Sequence, residues 1–203
     1  LEMMQLEVPL VLPDWSDSIN QMQSQMTRLE NLLEELLLLA KLEGREPADE
    51  DLRSLDVNSL LEPLIKDAKS LSSGKHNFVI DVDEKLYLKG NEKELKSCFG
   101  NLLTNAVRYS PDGGKIYVTW RKQDEKSCFS VRDEGIGIAL KHIPRLTERF
   151  YRVDKGRSRD TGGTGLGLSI VKHVLLRHHA LFKAESVLGE GSRFSCIFFS
   201  DIA

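Results

Sequence analysis

Three short motifs in a fixed order leave this chain few folds to choose from. Asn101-Leu102-Leu103-Thr104-Asn105-Ala106 comes first. Asp133-Glu134-Gly135-Ile136-Gly137-Ile138 follows, and Gly163-Thr164-Gly165-Leu166-Gly167-Leu168 closes the set. Alone, each is a weak signal, because a glycine-rich run is most often a turn. Together they supply an oxygen ligand for a metal, a carboxylate that reads a base, and a glycine-opened helix start that cradles phosphate.

On a helix, steps of three and four share a face, so Asn101, Asn105, Arg108 and Tyr109 project together. Magnesium in a nucleotide site takes oxygen ligands and leaves several positions to phosphates and water. A neutral Asn oxygen suits it, because a triphosphate already brings negative charge. Asn105 is assigned to Mg2+, Asn101 to the phosphates or the metal's water shell, and Arg108 to phosphate. Tyr109 is placed to stack on adenine. The bland alternative is a solvated helix face.

Asp133 follows a strand and is placed to accept from the adenine amine, with Gly135, Gly137 and Ile138 bringing backbone close to the base. A calcium loop starting at Asp133 is excluded, because the ligand positions two and four residues on are Gly135 and Gly137. Gly163, Gly165 and Gly167 open a helix with Thr164, Leu166 and Leu168 between and after them. A helix start offers N–H groups and a favourable dipole to phosphate. The spacing fits neither a dinucleotide fingerprint nor a Walker loop.

Phe150-Tyr151-Arg152 lies between the last two motifs. Its aromatics are expected to pin one end of a mobile lid, Tyr151 to Gly162. Arg152 is the candidate for the terminal phosphate, with Lys155, Arg157 and Arg159 as alternatives. His178-His179 reads as a helix-end cap rather than a ligand pair.

Upstream, Trp15, Ile19, Met22, Met26, Leu29, Leu33, Leu36 and Ala40 are spaced 4, 3, 4, 3, 4, 3, 4. That is a heptad seam on a helix from about Asp14, its cap, to Glu43, with Gly44 as terminator. It reads as a dimer stalk, the alternative being a helix packed on its own domain. The polar stretch 45–51 reads as a linker, dividing the chain into residues 1–51 and 52–203. Beyond it, strand and helix patterns alternate. A strand at 55–57 precedes a helix capped by Asn58, and Asn91 opens a helix to about Tyr109. Strands are expected near 78–82, 87–90, 116–120, 128–132, 181–187 and 192–199, with a short helix near 140–149 and another from Leu166 to His178. The fold class is α+β, a two-layer sandwich with two or three helices on one face of a mainly antiparallel sheet.

Lys and Arg number 28 against 31 Asp and Glu, a balance that argues against nucleic acid as a partner. Cys98, Cys128 and Cys196 lack metal-site spacing, so no metal beyond Mg2+ is expected. No apolar run reaches the length of a membrane span, and no signal peptide is evident.

These residues resemble the ATP-binding catalytic domain of bacterial sensor histidine kinases. Asn101-x-x-x-Asn105 is similar to the family's N box, Asp133-x-Gly135-x-Gly137 to G1, Phe150-Tyr151-Arg152 to the F box and Gly163-x-Gly165-x-Gly167-Leu168 to G2. Gly189-x-Gly191-Ser192-x-Phe194 is similar to the last small motif. The run from His142 to Lys155 most resembles the phosphate-regulon sensor kinases. The helix ending Leu39-Ala40-Lys41-Leu42-Glu43 is similar to the second helix of the family's dimerisation and phosphotransfer domain.

The resemblance implies the histidine-kinase, gyrase and Hsp90 type of ATP fold, with ATP and Mg2+ bound. It also implies transfer of the γ-phosphoryl to a histidine and then to an aspartate of a response regulator. Homodimerisation through the helical domain follows, in a parent anchored on the cytoplasmic side of the inner membrane. The family's acceptor histidine sits on the first helix of the helical domain, whereas no histidine precedes His76 here, so the chain is expected to be a truncated piece. Hydrolases of the same fold resemble one another in a Glu four residues before the metal Asn. Here that position is Asn101, and a carboxamide cannot take a proton from water at neutral pH; the other alternative is a nucleotide-binding adaptor of the same fold.

Overall fold

The computed structural model describes residues 15–44, 52–153 and 163–199. The expected Asp14 cap, the linker 45–51 and lid residues 154–162, with Lys155, Arg157 and Arg159, lie outside that range.

The order of elements is helix α1 (Ser16–Gly44), β1 (Arg53–Asp56), α2 (Val57–Ser72), β2 (His76–Val82), β3 (Tyr87–Gly90) and α3 (Glu92–Arg108). Then come β4 (Gly114–Gln123), β5 (Lys126–Asp133), a 3-10 turn (Leu140–Arg145), α4 (Gly167–Arg177), β6 (Leu181–Val187) and β7 (Gly191–Phe199). Five strands form one sheet in the order β2-β4-β5-β7-β6, and β1 pairs with β3 separately. Within the large sheet only β2 and β4 run parallel, because β3 and α3 intervene between them; the other neighbours are antiparallel. The expected two-layer α+β arrangement is the one found, with α2, α3 and α4 supplying the helical layer.

Two local expectations are corrected. The cap of α2 is Asp56, not Asn58. The Asp56 carboxylate accepts from the Asn58 N–H at 3.0 Å and from the Ser59 hydroxyl at 2.6 Å. An aspartate at the strand's end can satisfy two donors, where Asn58, already inside the helix, satisfies none at its start. Asp56→Ala is expected to cost about 1 kcal/mol, read as a lower urea midpoint at unchanged slope. The helix expected at 140–149 is instead the shorter 3-10 turn, which contains Pro144; proline lacks the N–H that an α-helix would need there.

The core lies between the helices and the sheet. Phe99 of α3 packs against Phe129 of β5 with ring centroids 4.1 Å apart and the rings tilted by 32°, and Trp120 and Phe198 are buried around them. Burial alternates along β5, so Ser127, Phe129, Val131 and Asp133 all face the core. The strand's period of two therefore carries a carboxylate into the interior at its last residue.

Helix α1 has two distinct faces. The heptad seam from Trp15 to Leu36 is exposed. Leu39 and Leu42 are buried against α4, with Leu32 and Leu38 packed beside them. The seam and the docking stripe are offset by one residue, about 100° around the helix, so the stalk and own-domain readings describe different faces of it. Among the described residues no helix is long and apolar enough to cross a membrane.

Candidate nucleotide site

The site is a row of residues between α3 and the start of α4, closed at one end by the β5–α3 junction. Asn91 caps α3 by accepting from the Glu94 N–H at 3.1 Å, which fixes where the helix starts and so which side chains face the site. Asn101, Asn105 and Arg108 are half-buried on that face, and Tyr109 is exposed at its end.

At one end of the row, Asp133 is 2% exposed. Its Oδ1 accepts from the Gly135 N–H at 2.9 Å and the Ser192 N–H at 3.2 Å. Both bonds fall on one oxygen, which leaves Oδ2 for a ligand. Burial pushes the carboxyl up to about 6, against the pull of those N–H groups. Ser192 belongs to the last small motif, and its part in holding Asp133 is not readable from spacing alone.

The glycines of this motif have a different purpose from the one expected of them. A Cβ on Gly135 would run into the Tyr109 carbonyl, and one on Gly137, at φ +63°, into the Val187 carbonyl. They admit the protein's own backbone rather than a base. That packing ties Ile136 N–H to the Tyr109 carbonyl at 3.0 Å and Ile138 N–H to Ser186 Oγ at 2.7 Å. It thereby fixes Asp133 relative to the end of α3.

At the other end of the row, α4 begins at Gly167 without a side-chain cap, the kind of helix start that suits an anion. A Cβ on Gly167 would strike Asn101 Oδ1. The glycine thus lets the helix start approach α3, and Asn101 faces it with its Nδ2 donating to the Ser97 carbonyl at 2.9 Å. Arg152 donates to the Gly163 carbonyl. A side chain on Gly163 would begin 3.8 Å from Arg152 Nη2 and 4.0 Å from Arg108 Nη1. Two guanidinium groups therefore converge where the third motif opens.

Phe150 and Tyr151 are both held in place, though the two aromatics are held differently. Tyr151 Oη lies 2.6 Å from His142 Nδ1, and the Arg145 guanidinium sits 4.3 Å over its ring. The Phe150 ring is exposed, and this residue holds by its backbone: its N–H donates to the Gly165 carbonyl at 3.0 Å, at a φ of +59°.

The structure brings Asn101, Arg108, Arg152, Gly163, Thr164 and Gly167 together at one end and Tyr109, Asp133 and Gly135 at the other. Asn105 lies between, its carbonyl accepting the Tyr109 N–H at 2.9 Å. Leu166 is buried in the core, and Ile138 and Leu168 pack against it partly buried, rather than presenting polar groups. His178 behaves as a cap: its ring pairs Nδ1 with the Val174 carbonyl at 2.8 Å and accepts the Asn91 N–H on Nε2 at 3.0 Å.

Glu94 has a structural partner. It receives Arg177 on both oxygens, at 3.1 and 3.0 Å, and both side chains are nearly buried. Because Glu94 lies on α3 and Arg177 on α4, the pair clamps the two helices that frame the site.

The model of the histidine kinase-, DNA gyrase B-, and HSP90-like ATPase family matches residues 90–201. The phosphate regulon sensor protein PhoR of Pseudomonas aeruginosa is 50% identical over 93% of this chain and 42% of its own length. That of Haemophilus influenzae is 41% identical over 89% of this chain and 42% of its own. A crystal structure of full-length ShkA in complex with AMPPNP superposes with a TM-score of 0.77, at 24% identity, over 92% of this chain and 39% of that one. The chain belongs to the histidine kinase-, DNA gyrase B- and HSP90-like ATPase family. Within it, the sequence falls with the PhoR-like sensor histidine kinases. It spans about two-fifths of the length of those relatives.

Proposed function

We propose that residues 52–203 are the ATP-binding catalytic domain of a sensor histidine kinase, and that residues 1–51 belong to a helical dimerisation and phosphotransfer domain. The observation that carries this reading is the two-ended site. A buried carboxylate fixed by Gly135 and Ser192 lies at one end. Two guanidinium groups and an uncapped helix start lie at the other, with a row of carboxamides between. That layout matches adenine, a divalent cation and a polyphosphate in order.

Asp133 accepts from the adenine amine and Tyr109 covers the base. Asn105, a neutral oxygen donor, holds Mg2+ jointly with the phosphates. A neutral oxygen donor suits this cation because the triphosphate brings the negative charge. The cation supplies charge neutralisation when bound. Arg108, Arg152 and amides of the stretch from Gly163 to Leu168 other than that of Leu166, which donates to Thr164 Oγ, hold the phosphates, with Thr164 adding a hydroxyl. Water activation is missing from this set. Asn101 cannot act as a base, and Glu94, the nearest upstream carboxylate, is committed to Arg177. Transfer to a protein histidine therefore fits the residues better than hydrolysis.

In the whole protein the phosphoryl group would pass on to a response-regulator aspartate in phosphate-starvation signalling. The exposed seam of α1 would pair with a second copy, and the parent would be anchored at the cytoplasmic face of the membrane. The test is phosphate release from ATP·Mg by this chain, alongside labelling of a histidine-bearing acceptor domain supplied separately. Labelling without multiple-turnover release is expected. Sustained release without labelling would make the chain a hydrolase.

A further inference from the structure

The phosphate end of the site already holds an anion, and the chain itself supplies it. The Thr164 hydroxyl donates to the Glu35 carboxylate of α1 and accepts the Leu166 N–H at 3.2 Å. Glu35, Asn101, Arg108 and Thr164 line one cleft of about 790 Å³ between α1 and α3. A hydroxyl donor next to an uncapped helix start, with guanidinium groups nearby, is the kind of place a phosphate oxygen binds.

The helix is registered so that this contact is made. Residues 32, 35, 39 and 42 are spaced 3, 4, 3 and share one face. Leu32, Leu39 and Leu42 on that face pack against the catalytic layer. Glu35 is the one charged residue on the stripe, at the turn that passes Thr164. Three further contacts hold the helix's end. Arg177 Nη1 reaches the Leu42 carbonyl at 3.4 Å, and Glu43 pairs with Arg149 and lies 3.3 Å from His173 Nε2. The docked position is thus fixed by apolar packing and by the helix end, while the carboxylate is carried into the phosphate site.

We propose that Glu35 is an internal competitor for nucleotide phosphate, so that docking of α1 in this position and binding of a triphosphate oppose each other. The inference rests on the nucleotide reading of the site. When α1 is docked, the Thr164 hydroxyl is taken and a carboxylate faces the arriving phosphates. When a triphosphate binds, it displaces that carboxylate and loosens the helix. Linkage makes the two effects equal in size: whatever factor α1 docking takes from nucleotide affinity, bound nucleotide takes from docking. Helix position thereby becomes a means of setting nucleotide occupancy from outside the catalytic domain.

The experiment is calorimetric titration of the chain with a non-hydrolysable ATP analogue and Mg2+, and separately with adenosine. It compares wild type, Glu35→Gln, Glu35→Ala and the exposed control Glu30→Gln. Both Glu35 variants are expected to bind the analogue about five- to tenfold more tightly, as release of a bound-state competitor requires. Adenosine affinity and the Glu30→Gln variant should stay unchanged. Hydrogen exchange in α1 between residues 32 and 42 should quicken when the analogue binds to wild type.

Unchanged or weaker binding by both Glu35 variants, with a wild type that binds, would overturn the competition and leave the nucleotide reading standing. Equal tightening towards adenosine would also overturn it, since the gain would then not concern phosphate. Slower exchange in α1 on adding the analogue would do the same. Absence of nucleotide binding by every form would remove both the reading and the inference.

Discussion

Asp133→Asn is expected to abolish nucleotide binding, a loss of about 100-fold or more in affinity, while leaving the fold intact. In the variant, Oδ1 can keep its bonds from the Gly135 and Ser192 N–H groups. The amide nitrogen replaces Oδ2, so two donors would then face the adenine amine, which is itself a donor.

Stability should move the other way. The carboxyl is pushed up to about 6 by burial, from an ordinary value of 3.8. The folded state therefore binds a proton more tightly than the unfolded one. Wild-type stability falls as pH rises from about 4 to 6 and stays lowered above that, by about 2–3 kcal/mol. The variant lacks this dependence, so its melting temperature at pH 7.5 should equal or exceed that of wild type. The same proton competes with the base, so wild-type affinity should decline as pH drops below about 6. Titration calorimetry with melting curves at pH 5 and 7.5 checks both halves. Retained wild-type affinity in Asp133→Asn would remove this residue from the base site.

The second large effect concerns Glu94. Removing it leaves the Arg177 guanidinium almost fully buried without its bidentate partner. Glu94→Ala is expected to cost about 3–5 kcal/mol, because an uncompensated buried charge is left behind. Replacing both members with Leu and Met should recover most of that, since the pair's own desolvation is relieved. Urea unfolding of the two variants separates these cases. A loss below about 1 kcal/mol in Glu94→Ala would mean that the clamp between α3 and α4 contributes little.

Much of the fold was legible because its signals are local. Asn91 caps α3, alternation marks β5, and Gly113-Gly114 follows the turn that starts β4. The motif face of α3 was legible for the same reason: helical spacing alone gathers Asn101, Asn105 and Arg108. Long-range partners were not readable. Thr164 and Glu35 are 129 residues apart, and Glu94 and Arg177 are 83 apart; no periodicity links such positions. The glycines show a subtler limit. Their presence signalled a close approach, but whether a ligand or the protein's own carbonyl comes near depends on the tertiary packing of Tyr109 and Val187. The heptad seam of α1 was visible as spacing, whereas Glu35 on the neighbouring stripe gave no sign that it would meet Thr164.

The most direct measurement is titration of the unmodified chain with a non-hydrolysable ATP analogue, with and without Mg2+, beside Asn105→Ala. Binding in the micromolar range is predicted, tighter with Mg2+, with the magnesium gain lost in Asn105→Ala. No binding by the unmodified chain, or a magnesium gain that survives the substitution, would contradict the site as assigned.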